Sequence, residues 1–248
     1  MSERHHLTAC LKRLRLPQVA FNLDTRIREA RENDLDYEEF LSLLVQDEME
    51  GRESNNQTKR VKAARFGMEQ TFEGYDFNFN VDTFPPKEIR ELSTCRFIDL
   101  KQNLLLCGPP GIGKTHIARA IGFEACRKGM SVLFTKTHQL LSDLQQSIVN
   151  EKYDLRMRKL LKTDLLILDD FALKKASHQE AEILYELADM RLGRGSFILT
   201  SNRPTEDWMG AFPDPVIAGA VLDRLVSSSR KYISTTGKTH RKLTQTES

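Results

Sequence analysis

The chain has 248 residues, with 37 Lys plus Arg against 35 Asp plus Glu. That length supports one or two domains with a substantial core, and the balanced charge excludes a partner chosen by net charge alone. The four cysteines (10, 95, 107 and 126) form no C-x-x-C pair and no metal-ligand spacing, so they read as reduced thiols of an intracellular protein. The start, Met-Ser-Glu-Arg-His-His, has no apolar run behind it, and no stretch approaches a membrane span of about 20 residues.

Residues 1–67 read as an all-helical N-terminal domain. Leu7, Leu11 and Leu14 sit at helical spacing before Pro17, and a second helix covers 17–32. Asp36 with Glu39 three residues on predicts a capping box, and Leu35 with Phe40 a hydrophobic staple. Phe40, Leu41, Leu43, Leu44 and Met49 then predict an apolar face. Charge is segregated along this helix: seven acids and no base between Asp34 and Glu50, then Arg52, Lys59, Arg60, Lys62 and Arg65 against Glu53. The basic end reads either as a solvated helix end or as a contact with phosphates or another subunit.

Residues 68–103 read as a linker and a leading helix. Phe72, Tyr75, Phe77 and Phe79 alternate with Asp76, Asn78 and Asn80 before Pro85-Pro86, which predicts an extended segment. It either packs on the following module or helps cover an adenine. One helix is expected over 86–100.

From 104 to 235 strands alternate with helices, and several strands are apolar on both faces. That pattern predicts a parallel sheet covered on both sides. Strands are expected at 104–107, 132–135, 164–170, 197–202 and 230–233, with helices at 137–148, 153–161, 177–192, 206–209 and 216–225.

The most specific signal is Leu104-Leu105-Leu106-Cys107-Gly108-Pro109-Pro110-Gly111-Ile112-Gly113-Lys114-Thr115, with His116 continuing into a helix. Gly108, Gly113, Lys114 and Thr115 fit the G-x-x-x-x-G-K-[ST] phosphate loop in its strand-before, helix-after context. Backbone amides and the helix N-terminus favour an anion there. Lys114 reaches β- and γ-phosphates, and the Thr115 hydroxyl holds Mg2+. Asp164-Leu165-Leu166-Ile167-Leu168-Asp169-Asp170 is a buried strand ending in two acids. Ligands gather at the carboxyl ends of parallel strands, so Asp169 is expected on Mg2+ and Asp170 on the attacking water. Asn202, at the end of Thr200-Ser201-Asn202-Arg203-Pro204, is the expected γ-phosphate sensor. Arg224 of Asp223-Arg224-Leu225 reads as an arginine finger acting in trans, or as a helix-end residue paired with Asp223. Lys152, Arg156, Arg158, Lys159 and Lys162 lie on one short helix, and Lys174 and Lys175 follow the acid pair. Either group reads as a DNA-backbone contact or as a solvated face.

These motifs, in this order, resemble those of the AAA+ P-loop ATPases of the initiator and helicase-loader clade. The closest resemblance is to the IstB-type transposition helpers, through Tyr37-Glu38-Glu39-Phe40-Leu41, Ala63-Ala64-Arg65-Phe66, Asp76-Phe77-Asn78-Phe79 and residues 108–116. The resemblance implies a five-stranded parallel sheet in the order 5-1-4-3-2, ATP and Mg2+ as ligands, and homo-oligomers on double-stranded DNA. It further implies a DDE-class transposase as partner, a bacterial cytoplasmic setting and no membrane. Two departures stand out. Asp170 replaces the usual Glu, and no sensor-2 arginine is evident; Lys238, His240, Arg241 and Lys242 fall in a basic tail, 236–248. Two alternatives stay open: a helicase loader of the DnaC type, and a nucleotide-switched DNA-binding scaffold with little hydrolysis.

Overall fold

The computed structural model describes residues 3–227 and 229–233; the tail singled out above, from Lys238 on, lies outside the described residues. The chain divides into two compact units, one ending at Lys59 and the other beginning at Arg60.

The first unit is built from α1 (Glu3–Arg13), α2 (Pro17–Glu32) and most of α3 (Tyr37–Ala64). Val19, Leu23 and Leu44 form its centre, with Leu11, Leu16, Ile27 and Phe40 packed around them. Asp36 and Glu39 make both bonds of the capping box, at 2.8 and 3.0 Å. The apolar face of α3 is narrower than its sequence predicts. Leu41 and Met49 are exposed, while Asp47 and Glu48 are buried. The reason lies in α2. Leu16 stands at its N-cap position without a side-chain oxygen, so the first amides of the helix need an acceptor from elsewhere. Glu48 supplies it, accepting from the N–H groups of Gln18 (2.9 Å) and Val19 (3.3 Å). Asp47 takes both arms of the Arg26 guanidinium, at 2.9 and 2.6 Å.

In the second unit β1 (Asn103–Cys107), β2 (Val132–Lys136), β3 (Leu165–Asp169), β4 (Ser196–Ser201) and β5 (Ser229–Ile233) form one sheet in the order β2-β3-β4-β1-β5, all pairs parallel. This is the expected 5-1-4-3-2 order. Strand alternation divides the core into two layers. Leu104, Leu106, Leu165, Ile167 and Ile198 face one side, packing with α4 (Pro86–Ser93), α5 (Arg96–Asp99), α6 (Lys114–Arg127) and the last turn of α3. Leu105, Leu166, Leu168, Phe197 and Leu199 face the other, under α7 (Thr137–Val149), α8 (Tyr153–Leu161), α9 (His178–Arg191) and α10 (Pro215–Val226). β1, β3 and β4 are buried along their whole length. Each fully buried Leu or Ile contributes about 1.5–3 kcal/mol, so these strands anchor everything mounted at their ends.

Two local expectations are corrected. The stretch 72–83 is coiled into turns, beginning with a 3-10 turn at Phe72–Gly74, and is not extended. Asp76 accepts from the Asn78 amide at 2.9 Å, so the acids and amides between the aromatics are turn formers. The helix expected over 86–100 breaks at Cys95, whose φ of 60° starts α5 afresh. The short helix expected at 206–209 is present, as a 3-10 helix over Thr205–Ala211 whose Trp208 is fully buried against Phe171. Among the described residues no cysteine is in a disulfide, and burial pushes the thiols of Cys95 and Cys126 up to about 12 and about 11. Thiols held that far above neutrality are packing groups.

Candidate nucleotide site

The buried strand β1 delivers the chain to residues 108–113 and α6 leaves from them. Gly111 (φ 88°) and Gly113 (φ 102°) hold left-handed conformations that a side chain would strain. The amide of Gly108 donates to the Ser201 carbonyl at 3.1 Å, tying the loop's start to the end of β4. Lys114 is buried, and its ammonium donates to the carbonyls of Gly108 (2.7 Å) and Pro109 (2.8 Å) and to Asn202 Oδ1 (2.8 Å). The loop lysine and the candidate sensor therefore meet, 88 residues apart in sequence.

The acid at the end of β3 meets the same helix. Thr115 donates its hydroxyl hydrogen to Asp169 Oδ1 at 2.9 Å, and Thr200 donates to that same oxygen at 2.5 Å. The carboxylate is thus fixed through one oxygen, while Oδ2 carries no hydrogen bond among the described residues. A carboxylate oxygen and a threonine oxygen side by side fit a hard divalent cation that completes its shell with water and phosphate oxygens. No cluster of three or more His, Cys, Asp or Glu suited to a metal exists among the described residues.

Asp170 follows in the left-handed region at φ 57°. Its amide donates to Thr200 Oγ1 (3.2 Å) and its carboxylate pairs with Lys136 (3.2 Å). One buried hydroxyl, that of Thr200, thereby touches both acids. In the sequence Thr200 stands only as the first residue of Thr200-Ser201-Asn202-Arg203-Pro204. What brings it here is register, since Leu168 lies beside Leu199 and the next residues along are Asp169 and Thr200. Lys136 likewise pairs in register with Asp169.

The turns of 72–80 lie along the loop. Tyr75 makes an edge contact with the His116 ring at 5.4 Å, His116 Nε2 is 3.1 Å from the Thr71 carbonyl, and Asn80 donates to the Ile112 carbonyl at 3.3 Å. The Tyr75 hydroxyl is buried without a partner among the described residues, and burial pushes its pKa up to about 12.

Arg224 is not among these groups. It donates to Asp189 (2.7 Å) and to the Tyr185 hydroxyl (3.2 Å), and its guanidinium stacks on the Tyr185 ring at 4.6 Å. Its local partner is therefore α9, not Asp223, and the bond to Asp189 raises its pKa. The basic candidates are also dispersed. Arg60 donates to the Cys126 carbonyl at the end of α6 (2.9 Å), Lys174 and Lys175 line a small cavity beside Asp170, and Arg158 turns back onto the Asp154 carbonyl (3.2 Å).

A parallel sheet in this order, with a glycine-rich loop whose lysine and threonine meet an acid and an amide from two neighbouring strand ends, defines a P-loop ATPase fold of the AAA+ type. Solved structures agree in fold: the DnaC helicase loader (TM-score 0.58, 20% identity, 66% of this chain and 96% of that one) and AMPPCP-bound DnaA from Aquifex aeolicus (0.55, 18%, 66% and 50%). Residues 9–248 match the family described as IstB-like ATP binding protein, and the chain belongs to that family. Its relatives include an ATP-binding protein of a Mycobacterium tuberculosis insertion sequence, 39% identical over 92% of this chain and 90% of the relative. Another is the insertion sequence IS21 ATP-binding protein of Pseudomonas aeruginosa, 34% identical over 91% and 84%. No helix among the described residues is long and apolar enough to cross a membrane.

Proposed function

We propose that this chain is an ATP-hydrolysing helper of insertion-sequence transposition, which assembles as a homo-oligomer on duplex target DNA and presents it to a DDE-class transposase. The observation that carries the reading is two hydrogen-bonded groups at one loop, Lys114 with Asn202 and Thr115 and Thr200 with Asp169, in a chain whose relatives are named for insertion sequences.

In this reading the loop amides and Lys114 take the β- and γ-phosphates, Lys114 giving up its carbonyl partners for them. Thr115 and Asp169 would hold Mg2+, which supplies charge neutralisation on the phosphate oxygens. Asn202 orients the terminal phosphate or the attacking water, and Asp170 accepts that water's proton after parting from Lys136. Arg224 leaves Asp189 and Tyr185 to reach the nucleotide of a neighbouring subunit. The packing of residues 72–80 on the loop supports a base-covering role for that segment. Duplex phosphates are assigned to exposed bases on α3, on α8 and beyond β3: Lys59, Lys62, Arg158, Lys174 and Lys175. Binding through phosphates is indifferent to sequence and weakens steeply with salt.

The helicase-loader reading rests on fold likeness at 20% identity, whereas the relatives that span the chain are insertion-sequence proteins. The experiment is electron microscopy of the protein with ATP, Mg2+ and duplex DNA, for the native chain and for Lys114→Ala. The native chain should form ordered oligomers on the duplex and the variant none; equal assembly by both would overturn the reading.

A further inference from the structure

β2 is an edge strand. It pairs with β3 alone, and its outer side opens on a groove of about 810 Å³ that follows it from Ser131 to Lys136. The walls come from both layers of the fold, with Phe66 and Arg119 on one side and α7 and α8 on the other. The Ser131 carbonyl accepts from the Leu165 amide at 3.1 Å, so residues 131, 133 and 135 turn their peptide groups toward β3. By strand alternation Val132 and Phe134 turn theirs toward the groove. Those amides and carbonyls have no partner among the described residues. A row of open amides and carbonyls on an edge strand is a template for pairing with another chain.

The groove is also strongly basic. Arg65, Arg119, Lys136, Lys152, Arg156 and Lys159 line it against a single acid, Asp143, which sits 4.0 Å from Arg156. Lys152, Arg156 and Lys159 recur on one face of α8, over the apolar wall formed by Leu144, Leu155 and Leu160. The Arg119 Nε is buried without a partner among the described residues. A nucleic-acid backbone would answer the charge but not the peptide groups, since phosphates are acceptors and cannot satisfy two carbonyls. An extended polypeptide presents N–H and C=O alternately at the matching two-residue repeat of about 6.6 Å, and acidic side chains would answer the rim.

We propose that the β2 edge receives an extended, acidic peptide segment of another protein, which adds to the sheet as a sixth strand. The donor is a different polypeptide because the acid-rich run of this chain is helical, within α3, and its tail beyond residue 233 is basic. The proposal stands apart from the transposition reading, which requires no such edge.

The test uses the full chain, immobilised and panned against a phage-displayed library of random short peptides. The selected peptides should alternate apolar and acidic residues. Their affinity should fall about tenfold or more for the Lys152→Glu, Arg156→Glu, Lys159→Glu triple variant, which leaves ATP binding intact. N-methylation of alternate peptide amides should cost as much, and bound peptide should slow hydrogen exchange at the Phe134 amide. The proposal fails if no acidic consensus emerges, or if the selected peptides ignore the charge reversal or the N-methylation. It fails equally if a short DNA duplex occupies the edge, protecting Phe134 and losing affinity in the triple variant while the peptides do not.

Discussion

Thr200→Val is the sharpest test of the nucleotide site, because it removes one hydroxyl while keeping shape. Thr200 is 1% exposed, donates to Asp169 Oδ1 and accepts from the Asp170 amide. A hydrogen bond to a charged group is worth about 1.5–3 kcal/mol, and the stranded Asp170 amide adds about 1–3 kcal/mol of lost satisfaction. Part of this falls on stability, lowering Tm by about 2–4 °C per kcal/mol for a chain of this size. The remainder falls on the geometry of both acids, so turnover at saturating ATP should drop by about 10- to 100-fold, at 1.36 kcal/mol per decade. The assay is steady-state phosphate release across a Mg2+ titration, with nucleotide binding measured separately in EDTA. Binding without metal should change little, the Mg2+ midpoint should rise, and Thr200→Ser should restore both. Turnover within twofold of the native chain with an unmoved Mg2+ midpoint would refute the claim that this hydroxyl positions the acids.

Asp170→Asn should keep ATP and Mg2+ binding while losing turnover; undiminished phosphate release would remove Asp170 as the base. Arg224→Ala should leave nucleotide binding by the isolated chain intact and abolish hydrolysis. Activity should return when it is mixed with Lys114→Ala protein, and a mixture as inactive as its parts would argue against sharing in trans. Gly122→Ala places a Cβ 2.6 Å from Phe66 Cε1 and 2.9 Å from Ile167 Cδ1. Overpacking of about 1–3 kcal/mol should then outweigh the gain in helix propensity of about 1 kcal/mol, so a raised Tm would contradict the packing of α6 on the sheet. In the first unit, the Arg26 hydrogen bonds hold Asp47 below its ordinary 3.8. Burial would raise Glu48, but bonds from Arg52 and from the amides of Gln18 and Val19 outweigh it and bring it below 4.5. Both groups stabilise the fold above those values and lose that contribution as pH falls through and below them. The protection of the Gln18 and Val19 amides against hydrogen exchange, relative to their intrinsic rates, should therefore fall between about pH 5 and pH 3, and Glu48→Gln should shift that response.

The nucleotide site was legible where its chemistry is local. Glycines, Lys114 and Thr115 stand side by side, and Asp169 ends a run of aliphatics, so motif and strand pattern suffice. Thr200 and Lys136 were not legible, because their role depends on which strand lies beside β3 and in what register. Asp47 and Glu48 escaped for a related reason. A helix face reads as solvated when it is acidic, and only the neighbouring helix, begun at Leu16 without a cap, shows what those acids serve. The turns at 72–83 were misread because alternation of aromatics with Asp and Asn satisfies the strand period, while the same Asp and Asn form turns. The basic stripe on α8 was visible in the sequence, but the groove it borders exists only once β2 is known to be the outer strand.

The hydroxyls around Asp169 also explain why a threonine, and not merely a polar residue, follows Lys114. Thr115 spends its one hydrogen on Asp169 Oδ1, which leaves its lone pairs as the only function its oxygen can still offer. Thr200 spends its own hydrogen on the same carboxylate oxygen. With both donors on Oδ1, Oδ2 is left without a hydrogen bond among the described residues, and the Thr115 oxygen has only lone pairs to offer. A water molecule could approach that pair only with its hydrogens forward, whereas a cation meets two lone pairs at once. An arrangement that offers acceptors alone suits a cation, and Thr200→Val releases one of the two donors that fix it.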